Sequence, residues 1–344
     1  MSETAEMIAI QGVVPEQGAG PKMPPGVLVE GAVVDAKFRD SYISFAIMIG
    51  GSIGALVWAF TQGIGWVEIS VFAGTFVLST IGIGFMHRYF VHRSFRCGPV
   101  MRTLFAAIAT TAVQGSVLKW VSNHRRHHLH SDKPGDVHSP YYDGFGNRIV
   151  SFAKGMAHAQ GGWVWDQATT DAEYYAKDIL ADPIAMFFTR TRWYWAASSA
   201  ILIPGAIGYA FGGIHTMIGC VLVSGVLRSY LMTMATSLVN SVCHSDGRYG
   251  YRRYETNDGT TNELVTTLLT FGEGLHNNHH RFPRDAYLSH AWYEIDINGL
   301  IILGLGKLGL VHDIFAGGAR QGSRPPDAPH GDLGAIAIQD RGAE

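Results

Sequence analysis

Four long runs of apolar residues, set in two close pairs, dominate the hydropathy pattern of this chain. Two short uncharged linkers, residues 62–65 and 212–215, separate the members of each pair. Each run approaches the length of about 20 apolar residues that a helix needs to cross a bilayer. We therefore predict four transmembrane helices arranged as two hairpins. The predicted spans are residues 43–61, 66–86, 194–211 and 216–240.

The segments outside the hairpins are polar and are predicted to form a helical cap on one side of the membrane. Residues 101–119 are apolar at helical period but are flanked by Arg102 and Lys119, which favours a helix at the membrane surface. Both hairpin turns lack Lys and Arg, whereas residues 120–193 are rich in them. The positive-inside rule therefore places the cap and both termini in the cytoplasm.

The two ends of the chain are predicted to be disordered cytoplasmic tails. Residues 1–38 and 316–344 are rich in Gly, Pro and small residues and show no sustained period. One domain, residues 39–315, lies between them. The predicted fold class is therefore an all-α integral membrane protein with a cytoplasmic helical cap.

Composition agrees with a membrane protein and excludes other classes. Only 16% of the residues are charged, against about 25% in a typical soluble domain. The net charge of -2 argues against a nucleic-acid-binding protein. Cys97, Cys220 and Cys243 are scattered and indicate no disulfide framework. Arg228 lies inside the last span and is expected to face protein, because an arginine in lipid is costly.

Histidines are concentrated in boxes whose spacing is typical of metal ligands. The pattern His-x-x-His-His occurs twice, and positions i, i+3 and i+4 share one face of a helix. His87 and His92 are five residues apart, roughly 140° on an ideal helix, so they either serve different ions or straddle a distorted helix end. The two boxes are His124, His127 and His128, and His276, His279 and His280.

The end of the last span adds two further candidates. Residues 216–244 form a helix longer than the hydrocarbon core, so Asn240 and His244 project beyond it on one face. Nine histidines suffice for two transition-metal ions, and iron is the imidazole-binding metal that activates O₂ against C–H bonds. The other seven histidines of the chain, including His130 and His138, are not assigned to the ligand set.

The order of these boxes through two membrane hairpins resembles the membrane fatty acid desaturases, in particular the acyl-CoA delta-9 (stearoyl-CoA) branch. The likeness runs from about residue 40 to 312 and includes Trp120 before the second box and the run from Gly272 to Pro283. The resemblance implies that the nine histidines hold two iron ions, with Asn240 reaching one through water. It also implies O₂ as co-substrate.

The resemblance implies a bent acyl tunnel beside Trp120, Gln114 and Thr236, although the sequence alone favours a packing role for these three residues. Four arginines are candidates for contact with a carrier's phosphates or with lipid headgroups. They are Arg125, Arg126, Arg252 and Arg253. Candidate acidic partners for the ligand imidazoles are Asp136, Glu273 and Glu294.

The implied activity is insertion of a cis double bond, at delta-9, into an acyl chain on CoA, acyl carrier protein or lipid. The chain has neither C-x-x-C-H nor paired C-x-x-C motifs, so the electron donor is expected to be a separate ferredoxin, rubredoxin or cytochrome b5 type protein. A di-iron hydroxylase or acetylenase on the same scaffold is the nearest alternative. A metal transporter and a b-type heme protein are more distant alternatives. The transporter is disfavoured because the ligands cluster at helix ends and Arg228 would repel a cation.

Overall fold

The structure is a computed structural model that describes residues 24–320, and these residues are mostly helical. The α-helices are α1 Ala32–Gln62, α2 Trp66–Phe85, α3 Pro99–Thr110, α4 Val117–His130, α5 Phe152–Gln160, α6 Ala172–Tyr175, α7 Lys177–Leu180, α8 Pro183–Arg190, α9 Arg192–Ala197, α10 Ile203–Gly219, α11 Arg228–Ser241, α12 Leu264–Leu269, α13 His276–Arg281, α14 Ile297–Lys307 and α15 Gly317–Arg320. The π-helical segments are Met86–Val91, Ser198–Leu202 and Cys220–Leu227.

Four strands of two residues each form two small antiparallel sheets. Strand β1, Val27–Leu28, pairs with β3, Thr169–Thr170. Strand β2, Arg96–Cys97, pairs with β4, Val311–His312. These sheets join segments that are distant in the chain. Because most of the described residues are helical, the helical fold class is confirmed.

Three continuous helical runs are long and apolar enough to cross a membrane. They are Ala32–Gln62, Trp66–Val91 and Arg192–His244. The first two contain the predicted pair 43–61 and 66–86.

The third run contains 53 residues and would be about 80 Å long if it were straight. The backbone leaves the helical region at Gly212, and Gly213 has a φ of 68°. Beyond this break the two arms fold back on each other, since a Cβ on Gly208 would lie 2.6 Å from the carbonyl oxygen of Thr216. The run is therefore a helical hairpin, and its turn falls within the uncharged linker 212–215.

Helix α1 begins earlier than the sequence analysis predicted. It starts at Ala32, and β1 precedes it, so residues 24–38 are ordered rather than part of a disordered tail. Lys37 is 5% exposed, and its ammonium group donates to the carbonyl oxygens of Asp166 and Ala168 at 2.6 and 2.8 Å. These bonds hold the start of α1 against the cap. Helix α15, Gly317–Arg320, likewise falls within the predicted C-terminal tail. The rest of the predicted tails, residues 1–23 and 321–344, lies outside the described residues.

Arg228 is fully buried and is bonded to neutral oxygens. Its guanidinium donates to Oγ of Ser79 at 3.0 Å, to the carbonyl oxygens of Thr111 and Ser199 at 3.0 and 3.1 Å, and to Oγ of Ser199 at 2.8 Å. Thr111 directly follows α3, and the carbonyl end of a helix is its negative end. Arg228 thus joins α2, the end of α3 and the second hairpin, which explains how a charge is tolerated here.

An apolar core at the end of the first hairpin supports the cap. It is built from residues of α2, its π-helical extension, α3, α4 and α14, among them Phe85, Phe90, Phe105, Val121 and Ile302. Helix α4 begins at a side-chain cap, in which Oγ of Ser116 accepts from the backbone N–H of Lys119 at 3.2 Å. This packing fixes the direction in which α4 presents its histidines.

Replacing Gly225 with alanine tests the close packing within the second hairpin. A Cβ at Gly225 would lie 1.8 Å from the carbonyl oxygen of Ala200, so Gly225→Ala forces the arms apart and costs about 1–3 kcal/mol. The melting temperature in detergent is expected to fall. Gly50→Ala is the control, because a Cβ there meets nothing within 4 Å and alanine favours helix. Equal melting temperatures for the two variants would contradict the packing.

Candidate metal centre

The nine histidines singled out in the sequence come together in two adjacent groups. Within each group the nearest ligand atoms lie within 4.8 Å of one another. Site one contains His87, His92, His124, His128 and His279. Site two contains His127, His244, His276 and His280. The rings of His127 and His128 are 5.5 Å apart between centroids, so the two sites are neighbours.

Each His-x-x-His-His box divides its ligands between the two sites. In α4 the i and i+4 residues, His124 and His128, face site one, while His127 faces site two. In α13 the arrangement is reversed, since His276 and His280 face site two and His279 faces site one. Residues i and i+4 lie above one another on a helix, whereas i+3 is rotated to the adjacent position. One helical turn from each box therefore serves both sites.

A π-helical segment resolves the unusual spacing of His87 and His92. The backbone N–H of His92 donates to the carbonyl oxygen of His87 at 3.2 Å, the i to i+5 bond of a π-helix. Both residues consequently belong to site one, and their ring centroids are 4.8 Å apart. The distorted helix end was one of the two readings that the sequence left open, and it is the one observed.

The Nε2 atoms within each site converge at short distances. In site one the Nε2 atom of His279 lies 3.0 Å from that of His87 and 2.9 Å from that of His128. In site two the distances are 2.9 Å between His276 and His244 and 3.3 Å between His127 and His280. Nitrogens bound at about 2.1 Å to one ion and at right angles to each other would lie about 3 Å apart. The spacing fits a metal ion.

Four carboxylates surround the histidines and set the proton positions on four rings. Each lies against the Nδ1 atom of one ring, within hydrogen-bonding distance. The pairs are His87 with Glu273 at 2.5 Å, His127 with Asp136 at 2.9 Å, His244 with Asp132 at 2.8 Å and His280 with Asp258 at 2.7 Å. A neutral ring that donates from Nδ1 carries its lone pair on Nε2. The four Nε2 atoms thus present lone pairs to the interior of the sites, where a cation is the natural partner.

Burial keeps six of the nine ligand imidazoles in the neutral form that binds metals, whereas Asp132 beside His244 outweighs burial and raises the pKa of that ring to about 9. Burial first, and the neighbouring imidazoles second, hold the pKa of five rings well below the usual value: His92, His124, His128, His276 and His279. Burial also lowers the pKa of His280 to about 4, although Asp258 acts against this. The Nε2 atom of His92 is buried and has no hydrogen-bond partner among residues 24–318. The donor set therefore fits a borderline transition metal.

Neighbouring side chains keep two of the orienting carboxylates, Glu273 and Asp258, in the ionised form. Burial by itself would raise the pKa of Glu273, but Arg88 and His87 hold it at about 2. Arg88 lies between Glu273 at 3.0 Å and Asp296 at 2.8 Å. Burial would likewise raise the pKa of Asp258, yet the charge and hydrogen bond of His280 keep it well below its usual range. Negative charge outside the rings makes the ligands more basic.

The sequence analysis named two of these four carboxylates correctly, Glu273 and Asp136. The third acidic partner predicted from the sequence, Glu294, was wrong. Its carboxylate accepts from Asn278 at 2.9 Å and from the backbone N–H of His290 at 2.6 Å rather than from a ligand ring. Asp132 and Asp258 were missed. Asp258 lies in a loop 22 residues from its partner His280, and such loop closure leaves no mark in local spacing.

A cavity of about 420 Å³ runs alongside site one. His124 and Asn240 line it, as do all three predicted tunnel residues, Trp120, Gln114 and Thr236. The Trp120 ring stacks on that of His124, with centroids 5.0 Å apart and planes at 8°. The wall of the cavity and the wall of the metal centre therefore share residues of α4.

All four predicted carrier arginines are bonded within the protein, and none of them lines this cavity. Arg125 pairs with Asp178 at 2.5 Å. Arg252 donates to the carbonyl oxygen of Asp258 at 2.7 Å, and Arg253 lies 3.3 Å from Glu294.

The fourth, Arg126, is 1% exposed and donates to the carbonyl oxygen of Gly135 at 2.7 Å. Because Arg252 donates to the backbone of Asp258, it stabilises the loop whose carboxylate orients His280.

His138 lies beside the centre although it was not assigned to it. Its ring is 4.4 Å from that of His127 between centroids, and it forms a third possible ligand group with His127 and Asp136. The Nδ1 atom of His127 already faces Asp136, so that group competes with site two for the same side chain. Site two, with four converging imidazoles, is the better metal site.

Comparison with known proteins identifies the relatives of this chain. Residues 64–297 match the model of the family described as fatty acid desaturase. A hex-5-enoyl-[acyl-carrier protein] acetylenase of Moorena producens is 35% identical over 269 residues, 77% of this chain and 82% of the relative. An sn-1 stearoyl-lipid 9-desaturase of Anabaena variabilis is 30% identical over 284 residues, 81% and 95% of the two chains. An acyl-CoA 5-desaturase of Anemone leveillei is 31% identical over 278 residues, 78% of each.

Removing one orienting carboxylate is expected to weaken metal binding at site two. Asp258→Asn leaves His280 without its anionic partner, and such changes lower metal affinity about 10–100-fold. The affinity of the purified protein for metal is measured by competition with a chelator and by elemental analysis. Asp143→Asn is the matched control, because Asp143 accepts from the backbone N–H groups of Phe145 and Asn147. Unchanged affinity in Asp258→Asn would argue against a metal at site two.

Proposed function

The chain belongs to the fatty acid desaturase family and is an oxidoreductase that acts on acyl chains, and from this premise we propose that it uses two iron ions and O₂ to insert a cis double bond into a saturated fatty acyl chain. The observation that carries the proposal is the position of the cavity. It touches His124 of site one and Asn240, so a hydrocarbon within it would lie beside the metal centre.

The proposed ligands are the nine histidines of sites one and two, with Asn240 reaching one ion through water. A ligand set of imidazoles without carboxylate or thiolate suits iron, and a bound iron pair reduced by two electrons supplies with O₂ the oxidising power to remove hydrogen from an unactivated C–H bond. The reaction balances as one CH₂–CH₂ unit, O₂, two electrons and two protons giving one CH=CH unit and two waters.

The protein's own part is to position the chain and to exclude water. Trp120 and Thr236 border the cavity from α4 and α11, and Gln114, which lies in the segment between α3 and α4, donates to the hydroxyl of Thr233 at 3.2 Å. These contacts hold the cavity wall in one shape, so that one C–C segment of a bound chain lies next to site one. Fixed placement of this kind is the main requirement for oxidation at a single carbon position.

We place the protein in a membrane with four crossings. The first hairpin is α1 and α2, and the second is the pair of arms on either side of Gly212 and Gly213. The absence of Lys and Arg from both turns supports a cytoplasmic location for the metal centre and both termini. The two electrons come from a separate donor protein of the ferredoxin, rubredoxin or cytochrome b5 type.

The relatives support several acyl carriers and one alternative chemistry. Their names include a lipid, an acyl-CoA and an acyl-carrier-protein substrate, and the 35% identical relative is an acetylenase. Oxidation of a chain that already carries a double bond would give an alkyne from the same site. Delta-9 desaturation is the product we propose, with acetylenation as the second candidate.

Expression in a host that lacks its own desaturase tests the activity. We expect a new cis-monounsaturated fatty acid, located by mass spectrometry after derivatisation of the double bond. His127→Ala removes a ligand of site two and is expected to abolish the product and lower bound iron from about two ions per chain towards one. The exposed His312 provides the control His312→Ala, which retains both. A hydroxylated or acetylenic product would show that the enzyme catalyses hydroxylation or acetylenation instead of the proposed desaturation.

Widening the cavity beside the metal centre tests its role as the acyl site. Trp120→Ala removes the ring that stacks on His124, so the chain is held less firmly, and a shift of about 1 Å can cost 100-fold in rate. We expect a slower reaction with double bonds at more than one position. The control is Trp292→Ala, since Trp292 is 95% exposed. One unchanged position formed at an unchanged rate would place the acyl chain elsewhere.

A further inference from the structure

A small recess opens beside the cavity, and its wall carries three cations. The recess has a volume of about 10 Å³, which is room for about one oxygen atom of the size of water. It shares Lys37, Lys119 and Trp163 with the cavity of about 420 Å³, and Arg126 completes its wall. We call these four residues and the space between them the basic recess.

Two of the three cations in the basic recess, Lys37 and Arg126, donate their side-chain hydrogen bonds to neutral groups. The ammonium group of Lys37 donates to backbone carbonyl oxygens, those of Asp166 at 2.6 Å and Ala168 at 2.8 Å. Arg126 donates from Nε to the carbonyl oxygen of Gly135 and from Nη1 to a threonine hydroxyl at 3.4 Å. All of these acceptors are neutral.

The one carboxylate among the residues that line the recess is directed elsewhere. Asp166 accepts from Nε2 of His158 at 2.9 Å and from the backbone N–H of Gly144 at 2.7 Å. Its charge therefore stabilises the His158 ring. Lys119 has no side-chain hydrogen bond within residues 24–318. Asp40 is the acid that acts most strongly on the charge of Lys119, and it is paired with Arg192.

Two buried donors point to a missing acceptor. Nη2 of Arg126 and Nε1 of Trp163 are buried and have no hydrogen-bond partner in the part of the chain that the structure describes. Arg126 is 1% exposed, so its guanidinium group is removed from bulk water. An unpaired buried donor costs about 1–3 kcal/mol, and more when it is charged. An oxygen that carries negative charge would satisfy both donors and offset the cations.

We propose that the basic recess binds one phosphate oxygen of the group that carries the acyl chain, so that the enzyme selects substrates on phosphate-bearing carriers over those on neutral ones. This proposal rests on the proposed function. Phosphate is common to 4′-phosphopantetheine thioesters and to phospholipids. Arginine and lysine are the residues that bind it in proteins, and the indole N–H adds a third kind of donor.

The position of the basic recess suits a carrier at the membrane surface. Lys37 lies in the second turn of α1, Ala32–Gln62, at the end of an apolar helix where lipid headgroups are expected. Lys119 belongs to α4, which also carries His124. Because the basic recess shares Lys37 and Lys119 with the wall of the cavity that His124 of site one also lines, one substrate molecule can reach both.

Paired substrates with and without a phosphate test the proposal on the full-length protein loaded with metal. One pair is an acyl-4′-phosphopantetheine and the same acyl-pantetheine. The other is a phosphatidylglycerol and a monogalactosyldiacylglycerol with the same acyl chains. We expect KM to be at least tenfold lower for the phosphate-bearing member of one pair, with similar kcat, and that pair identifies the source of the phosphate. Lys119→Gln is expected to remove the difference, whereas the exposed Lys154 gives the control Lys154→Gln, which retains it.

Several outcomes would overturn the proposal. Equal KM values within both pairs would mean that phosphate is not recognised, and an equal effect of Lys119→Gln on both members would mean a purely structural role. If Lys119→Gln does not fold, inhibition of the unaltered enzyme decides: 4′-phosphopantetheine or glycerol 1-phosphate must inhibit at least tenfold better than pantetheine or glycerol. Turnover of the phosphate-free substrates with no such discrimination defeats only this proposal, whereas no product from any substrate defeats the proposed function.

Discussion

The structure depends on the convergence of neutral imidazole nitrogens inside a buried chamber. Lone pairs that face one another at about 3 Å repel unless a cation lies between them, and burial holds six of the nine rings in the neutral form. Carboxylates on the outer side of four rings fix the tautomers that make this convergence possible. The arrangement therefore suits metal ions, because the acids orient the rings from outside and the lone pairs of the rings face the interior.

The rest of the fold serves to hold the segments that carry these rings. The ligands come from the end of the first hairpin, from α4, from the end of the second hairpin and from α13. Arg228 joins the hairpins to the end of α3 through neutral oxygens, and the apolar core around Phe90 and Phe105 packs α4 against the first hairpin. The π-helical segment Met86–Val91 is part of the same design, since it turns His87 and His92 towards one site.

Helix α4 couples the metal centre to substrate binding. Within one helix, Lys119 borders the basic recess, Trp120 borders the cavity and stacks on His124, and His124, His127 and His128 face the two sites. A rigid helix fixes the distances among these groups. In the proposed function, the place of the substrate's head group and the carbon that is oxidised are linked through this one helix, whose direction is set by the Ser116 cap and by the core beneath it.

The sequence by itself determined what depends on local spacing and composition: the apolar runs, the uncharged turns, the histidine boxes and the family they resemble. The local spacing of the boxes singled out the nine histidines, and the family resemblance implied that they meet at two irons. The division of each box between two sites, the π-helix at His87, and the roles of Asp132 and Asp258 were decided by the tertiary structure. So was the meeting of Lys37 with Lys119 and Arg126. These features join residues far apart in the chain, and only packing of the helices decides which distant side chains become neighbours.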